Sequence, residues 1–169
     1  FALGAAVSPA HSAVKKPTAT PAPRQLWVTA YYASWVQEAG VLTPQKIDYS
    51  AMSHLVHFHV VPKEDGTIDT VEGISPEESE AVLKPAHAAG CKVLLCVGGG
   101  DTAGRFRAAM ADPVRPAFIH NLIAVIGERG YDGLDIEMEP IEDGDTAAYE
   151  TFIRELRARM TARNPNLSL

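Results

Sequence analysis

Apolar segments of strand length alternate with helical segments along the sequence, and this alternation constrains the fold more than any other feature. The predicted strands cover residues 26–33, 54–61, 91–97 and 132–139, and a fifth begins at 167. The predicted helical segments cover residues 43–52, 75–90, 101–111, 112–130 and 146–163. Strands that alternate with helices predict a parallel sheet with crossover helices, the arrangement of α/β folds.

The helix predicted at 75–90 has the clearest end signals. Ser75 is a good N-cap, Pro76 suits the first turn, and Glu78 completes a capping box with Ser75. Gly90 is a typical residue just after a helix end. These signals fix the position of one crossover helix between two strands.

The composition is that of an acidic domain. Of the 169 residues 46% are hydrophobic, and the formal net charge is −6, which suits a domain large enough for one core. No cluster of Lys and Arg stands out, so we expect no nucleic-acid partner. No apolar run reaches the roughly 18 residues of a membrane-spanning helix, so we expect no membrane partner.

Two cysteines, Cys91 and Cys96, lie in the same predicted strand. Their spacing places them on opposite faces and about 16 Å apart along the strand. A disulfide needs Cα atoms within about 7 Å. We expect two free thiols.

Residues 1–24 differ in composition from the rest of the chain. Residues 1–13 are small and apolar and are similar to the end of a secretory signal peptide. Residues 14–24 hold three prolines, which indicates an extended linker. We expect a folded domain over residues 25–169 and an exported protein, either secreted or periplasmic. The alternative is a plain disordered N-terminus.

Carboxylates occupy alternate positions in the strand predicted at 132–139. Asp135, Glu137 and Glu139 share one face, because successive side chains of a strand point to opposite faces. Like-charge repulsion and burial both raise the pKa of a carboxyl group. One member of the row should therefore hold a proton while the others stay ionised.

This division suits the cleavage of a glycosidic bond, which needs an acid for the leaving oxygen and negative charge near the developing cation. The alternative is an exposed acidic edge strand with a solvated face. Gly133 and Pro140 argue against a plain strand, because Gly133 allows a tight turn at its start and Pro140 ends it abruptly.

The pattern D-x-x-D-x-E-x-E over residues 132–139 resembles the DxxDxDxE signature of glycoside hydrolase family 18, the chitinase family. Residues 92–99 resemble the SxGG strand of the family, and residues 30–35 and 54–60 resemble its first and second strands. The resemblance implies an α/β (β/α)8 TIM barrel, of which only the first four βα units and the start of strand 5 are present. Either the chain is a fragment of a longer one, or the half-barrel pairs with another half.

The resemblance also implies roles for the acids. Glu139 matches the general acid/base that protonates the glycosidic oxygen. Glu137 matches the residue that orients the N-acetyl group of the substrate, whose oxygen attacks the anomeric carbon in place of an enzyme nucleophile. Asp135 would share a proton with Glu137 and tune its charge. Asp132, near the strand entry, is expected to be structural.

The sequence departs from the family pattern at three positions. Position 137 is Glu where Asp is usual, and the extra methylene moves the carboxylate by about 1 Å. Met138 replaces a common Trp but faces away from the acids. Cys96 replaces the Ser of SxGG, and its thiol is a weak donor toward Asp135.

Four further residues are candidates for contact with the substrate. Tyr31 matches a tyrosine at the base of the family site, with core packing as the alternative. Trp35 is a candidate platform for a sugar ring, with local packing as the alternative. Gly98 and Gly99 suit a close backbone approach beneath the sugar. A phosphate loop is the alternative for these glycines, but no Lys-Ser/Thr follows them.

His57 and His59 are predicted to share one strand face, where a His-x-His pair can bind a metal. No third ligand lies at a convincing spacing, so strand packing or a polar contact to sugar is favoured. We expect no metal and no cofactor.

The resemblance to family 18 implies a hydrolase of β-1,4-linked N-acetylglucosamine glycans such as chitin. The expected partner is an oligosaccharide or polysaccharide that contains N-acetylglucosamine, together with the missing C-terminal half or a second half-barrel. One alternative is a chitinase-like carbohydrate-binding protein without turnover. Such relatives typically lack the terminal acid of the signature, which is present here as Glu139. The other alternative is a non-catalytic fragment.

Overall fold

The computed structural model describes residues 26–69 and 73–169. The signal-peptide remnant and linker expected over residues 1–24 lie outside the described residues. Among the helices that the structure describes, none is both long enough and apolar enough to cross a membrane.

The described residues form strands, helices and short 3₁₀ turns in alternation. The strands are β1 (Thr29–Ala33), β2 (His54–Pro62), β3 (Ile68–Asp69), β4 (Lys92–Gly99) and β5 (Gly133–Met138). The helices are α1 (Ser34–Glu38), α2 (Pro76–Ala88), α3 (Ala103–Met110), α4 (Arg115–Arg129) and α5 (Thr146–Arg163). The 3₁₀ turns are Pro44–Lys46, Tyr49–Ala51 and Asp143–Asp145.

The sheet is parallel, and its strands follow the order of the chain, β1–β2–β4–β5. The short strand β3 pairs antiparallel with the end of β2. Beyond α5, Ser168 forms a parallel bridge with Gly133 on the far edge of β5. Neighbouring parallel strands joined by helices confirm the predicted α/β class.

The outer face of the sheet, which we define by Leu55, Val93, Leu95 and Leu134, packs against the helices in one apolar core. All four side chains are at most 1% exposed. Burial of aliphatic side chains contributes roughly 1.5–3 kcal/mol each, so this face supplies most of the apolar stabilisation of the fold.

Three phenylalanines join the helices on this side. Phe106 of α3, Phe118 of α4 and Phe152 of α5 are fully buried. The Phe118 and Phe152 rings stack with centroids 5.2 Å apart, and Phe106 meets Phe118 edge-on at 6.0 Å. These contacts hold α3, α4 and α5 together against the sheet.

The inner face of the sheet, which we define by Val56, Leu94, Cys96, Asp135 and Glu137, is different. Its apolar part is a separate small cluster. In the strand register Val56 lies beside Leu94, and Cys96 lies beside Asp135. The acids therefore lie directly beside the apolar patch of this face.

The helix and cysteine predictions are confirmed. Ser75 and Glu78 form the capping box at the start of α2, with both reciprocal hydrogen bonds present. Gly130 ends α4 in the left-handed conformation, at φ 85°. Cys91 and Cys96 are free and buried, and they belong to the separate clusters on the two faces.

Several local predictions are corrected. Helix α1 and strand β3 were not predicted, because segments of five and two residues are too short to show a periodicity. Strand β1 begins at Thr29 rather than at residue 26. Strand β4 extends through Gly99, because its glycines continue to pair with β5.

Candidate active site

The acid row lies at the carboxyl end of β5. Asp135 and Glu137 are within the strand and are half-buried, and Glu139 follows its last residue and is exposed. Asp135 lies beside Cys96 and Glu137 beside Gly98 in the register with β4. Asp135 and Glu137 therefore lie on β5 as predicted, whereas Glu139 lies one residue beyond the strand, which was predicted to run to residue 139.

Tyr31 connects the first strand to the acid row. Its hydroxyl donates a hydrogen bond to Oδ2 of Asp135 at 3.2 Å, across 104 residues of sequence. The same hydroxyl also interacts with Glu137. Removal from water, followed by the charge of Asp135, raises the pKa of Tyr31 far above its ordinary value. Tyr31 is therefore a permanent donor between two carboxylates.

The surroundings raise the pKa of Glu137. Burial is the largest cause, and the negative charges of Asp135 and Glu139 add to it. The hydrogen bond from Tyr31 acts in the opposite direction. The expected proton in the row is therefore favoured on Glu137, next to Asp135, with which it also shares a hydrogen bond.

Cys96 of β4 forms a cluster with Asp135 and Glu137. Its side chain is fully buried, and one ligating atom each of Cys96, Asp135 and Glu137 lies within 4.8 Å of the others. Burial, followed by the charges of Glu137 and Asp135, raises the pKa of the Cys96 thiol. The thiol also forms a hydrogen bond with Asp135, which joins Cys96 to the acid row.

The two glycines at the end of β4 are required by close contacts. Gly98 and Gly99 have φ angles of 114° and 112°, which other residues rarely adopt. A side chain at Gly98 would lie 2.0 Å from the carbonyl oxygen of Glu137, and one at Gly99 would lie 2.8 Å from the ring of Phe58. Gly98 therefore lies close to β5, and Gly99 lies close to β2. The contact of these two glycines with a sugar stays a prediction.

Trp35 is the second residue of α1, which follows β1 directly, and is 55% exposed. Its ring meets Phe58 edge-on with centroids 5.5 Å apart, and Phe58 also contacts Tyr31 at 6.4 Å. An aromatic path therefore runs from the acid row to an exposed indole. Sequence reasoning missed Phe58, although its place between His57 and His59 in an apolar strand is a signal for it.

The two histidines of β2 do not share a face, which corrects the His-x-His prediction. His57 is fully buried on the helix side, where its ring nitrogens are bonded to Tyr131 and Gln37. Burial lowers the pKa of His57 to about 3. His59 instead stacks on Phe58. The register shift between His57 and Val60 separates them.

Asp132 lies at the opposite end of β5 from Glu139. Its Oδ2 atom accepts hydrogen bonds from the backbone N–H of Val93 and from Nε2 of His87, both at 2.8 Å. These bonds tie α2 and β4 to β5, which agrees with the structural role expected for Asp132.

Sequence reasoning also missed Thr102. Its buried hydroxyl donates to the carbonyl oxygen of Gly99 at 2.6 Å and lies 3.3 Å from that of Glu137. Thr102 thus joins the ends of the two strands that frame the site. A Thr between a glycine run and a helix is a signal for such a cap.

The fold and the site define a class: α/β proteins that carry a row of acids at the carboxyl end of a parallel sheet, where enzymes of the barrel type have their active sites. The model of glycosyl hydrolases family 18 matches residues 28–169. The chain belongs to this family.

Comparison with known proteins gives relatives of the same kind. The chain is 27% identical over 134 residues to the chitinase-like mite allergen Der p 18.0101 of Dermatophagoides pteronyssinus, covering 75% of this chain and 28% of that protein. It therefore spans less than a third of the length of this curated relative.

Solved structures share the fold. The Group IV chitinase of Ostrinia furnacalis in complex with allosamidin matches with a TM-score of 0.72 and 24% identity, over 80% of this chain and 41% of that one. Catalytic domain 2 of the Group II chitinase of the same species, a variant in complex with a penta-N-acetylchitooligosaccharide, matches with a TM-score of 0.70 and 23% identity, over 81% and 41%.

Proposed function

We propose that the intact protein hydrolyses β-1,4-linked N-acetylglucosamine glycans by a substrate-assisted, retaining mechanism. The observation that carries this proposal is the row of acids at the end of β5, bridged by Tyr31 and partly removed from water, in a chain of family 18.

Glu139 is the proposed general acid/base. It is the exposed member of the row, and its Oε2 atom would lie 4.0 Å from a side chain added at Gly100. Because Glu139 is exposed, its carboxylate is accessible to a glycosidic oxygen. A positioned acid of this kind contributes about 10²–10⁴-fold to the rate.

Glu137 and Asp135 are the proposed partners of the acetamido group. Because the pKa of Glu137 is raised, the pair can hold one proton and offer it as a hydrogen bond to the acetamido nitrogen or oxygen. Tyr31 holds Asp135 from the other side. The acetamido oxygen then attacks the anomeric carbon, Glu139 protonates the leaving oxygen, and water later opens the oxazolinium ion.

Strands β1, β2, β4 and β5, with the helices that follow them, are the proposed first four βα units of a (β/α)8 barrel. Ser168, which pairs with Gly133 of β5, marks the start of the fifth barrel strand. The sequential parallel order of the strands supports this assignment, as does the coverage of about two fifths of the matching chitinase structures. The remaining half of the barrel, or a second half-barrel, is the proposed partner of this chain.

The proposed substrate contacts come from Tyr31, Trp35, Gly98 and Gly99. The ligands in the matching structures are allosamidin and a chitooligosaccharide, which supports a glycan that contains N-acetylglucosamine. The proposed role of the exposed Trp35 ring is to stack on a sugar beyond the acid row. Export, proposed from residues 1–24, suits an extracellular polysaccharide.

A carbohydrate-binding protein without turnover is the second candidate. Glu137 in place of the usual Asp lengthens the acid that faces the acetamido group, and Cys96 supplies only a weak donor to Asp135. Both changes weaken the positioning of Glu137 and Asp135, and neither alters the surface proposed for sugar binding.

The experiment compares two substrates of equal length. We expect the intact protein to hydrolyse a chromogenic chito-oligosaccharide and to leave the matching cello-oligosaccharide uncut, because the latter has no acetamido group. Binding of the chito-oligosaccharide without turnover would favour the second candidate. Equal hydrolysis of both substrates would overturn the substrate-assisted mechanism.

A further inference from the structure

The loop that carries Glu139 is followed by a turn that one arginine of α3 holds. The Nε and Nη2 atoms of Arg107 donate to the two carboxylate oxygens of Asp145 at 2.7 and 2.8 Å. Nη2 also donates to Oε2 of Glu142 at 3.0 Å. A two-pronged pair of this kind is among the strongest and most directional hydrogen-bonded contacts in proteins.

The turn is itself closed around Asp145. The backbone N–H of Glu142 donates to Oδ2 of Asp145 at 2.9 Å, and the backbone N–H of Asp145 donates to the carbonyl oxygen of Glu142 at 2.9 Å. The hydrogen bond from Arg107, together with the backbone bond, holds the pKa of Asp145 at about 2. Arg107 and the turn are thus one connected unit.

The start of the same helix holds Glu139 from the other side. The backbone N–H of Ala103 donates to the carbonyl oxygen of Glu139 at 3.1 Å. Helix α3 therefore contacts the chain at Glu139 through its first residue and three residues later, at Glu142, through Arg107. The segment between the two contacts has little freedom to move.

Helix α3 is in turn fixed to the core. Phe106, next to Arg107, is fully buried among Phe118 and Phe152. Helix α3 therefore connects the Glu139 loop to the apolar core on the outer face, in addition to the link through β5.

We propose that Arg107 is a positioning residue for Glu139, acting through Asp145 and Glu142. This inference rests on the proposed function, in which Glu139 is the general acid. A displacement of about 1 Å at a reacting group can cost on the order of 100-fold in rate. Because the clamp orients a catalytic group and contacts no substrate, its loss should lower kcat and leave KM nearly unchanged.

The test uses the intact protein with Arg107→Ala, Arg107→Lys and Asp145→Asn. Arg107→Ala should lower kcat on the order of 10- to 100-fold with KM changed less than about threefold. Arg107→Lys should recover part of the loss, since lysine can keep one bond to Asp145 but lacks the fork. Combining Arg107→Ala with Asp145→Asn should cost no more than the larger single effect.

Arg105→Ala is the matched control, because Arg105 is exposed on the same helix and its side chain forms no hydrogen bond or ion pair with any described residue. It should leave kcat within about twofold of the wild type. Amide hydrogen exchange of residues 140–146, measured by mass spectrometry, should accelerate in Arg107→Ala and stay unchanged in the control.

The outcomes separate the clamp from the proposed function. Wild-type protein that cuts no chito-oligosaccharide would overturn the proposed function, while exchange over residues 140–146 would still report on the clamp. If the wild type is active and folded Arg107→Ala keeps its kcat, or if exchange in that segment is unchanged, the positioning role is wrong.

Discussion

The outer and inner faces of the sheet differ in what covers them. On the outer face, Leu95 and Leu134 are fully buried beneath helices that share one continuous core. On the inner face, the apolar cluster is small and gives way to Asp135 and Glu137, which are only half-buried. The same strands thus place their stabilising residues on one side and the proposed catalytic acids on the other.

This difference explains why the acids are tolerated. A half-buried carboxylate costs free energy unless it is hydrogen-bonded. Tyr31 supplies a hydrogen bond to Asp135, and a raised pKa lets Glu137 hold a proton. The apolar core on the outer face carries the fold, so the inner face can hold groups that do not stabilise it.

The largest expected effect comes from breaking the outer face. Phe152→Ala removes a fully buried ring that stacks on Phe118, and it should lower the free energy of unfolding by about 3–5 kcal/mol. Chemical denaturation of the intact protein measures this loss. Arg159→Ala, on the exposed side of the same helix, should stay within about 0.5 kcal/mol. A loss in Phe152→Ala no larger than that in Arg159→Ala would contradict the stabilising role of the outer face.

A smaller and pH-dependent effect is expected on the inner face. Because the pKa of Glu137 is raised in the folded protein, its contribution to stability is full at low pH and is lost as the pH rises through that raised value. Glu137→Gln should therefore be more stable than the wild type at pH 7, and the difference should vanish below the ordinary carboxyl value of 4.5. Urea unfolding at pH 7 and pH 3 measures it.

For Asp145 we expect the opposite dependence of stability on pH. Arg107 holds its pKa at about 2, below the ordinary 3.8, so its contribution is present above the ordinary value and is lost as the pH falls toward 2. Asp145→Asn should be less stable than the wild type at pH 7, with a shrinking difference in acid. A shift of the same sign in Glu137→Gln and Asp145→Asn would contradict the electrostatic account.

The smallest effect is expected at Cys96. Cys96→Ser replaces a weak donor by a hydroxyl next to Asp135. Stability should change by less than about 1.5 kcal/mol, and turnover should rise a few-fold, since Asp135 is then held better. Cys96→Ala, measured beside it, should not raise turnover. A gain in both variants would mean that volume rather than hydrogen bonding matters at this position.

Much of the fold and of the site follows from local sequence patterns. The capping box of Ser75 and Glu78 and the alternation of acids after Gly133 are short-range signals, and the structure contains both features. The tyrosine at position 31 was placed near Asp135 by resemblance, and the hydroxyl lies 3.2 Å from that carboxylate.

Other features depend on packing that the sequence does not display. The register shift after His57 turns His59 away from its predicted face, and nothing in an apolar strand marks where such a shift occurs. The contact of Arg107 with Asp145 joins residues 38 apart, on two elements whose approach is set by the phenylalanine cluster. Such long-range contacts follow from the three-dimensional arrangement of helices.

Glu139, just beyond the inner face, is the proposed general acid/base, and the fold should not depend on this exposed residue. The most direct measurement is turnover of a chromogenic chito-oligosaccharide by the intact protein with Glu139→Gln, together with its unfolding midpoint and its affinity for the uncut sugar. Glu128→Gln, exposed on α4, is the control. Glu139→Gln should lower turnover about a thousandfold and leave the unfolding midpoint and the affinity unchanged. Undiminished turnover in Glu139→Gln would contradict the proposed role of Glu139.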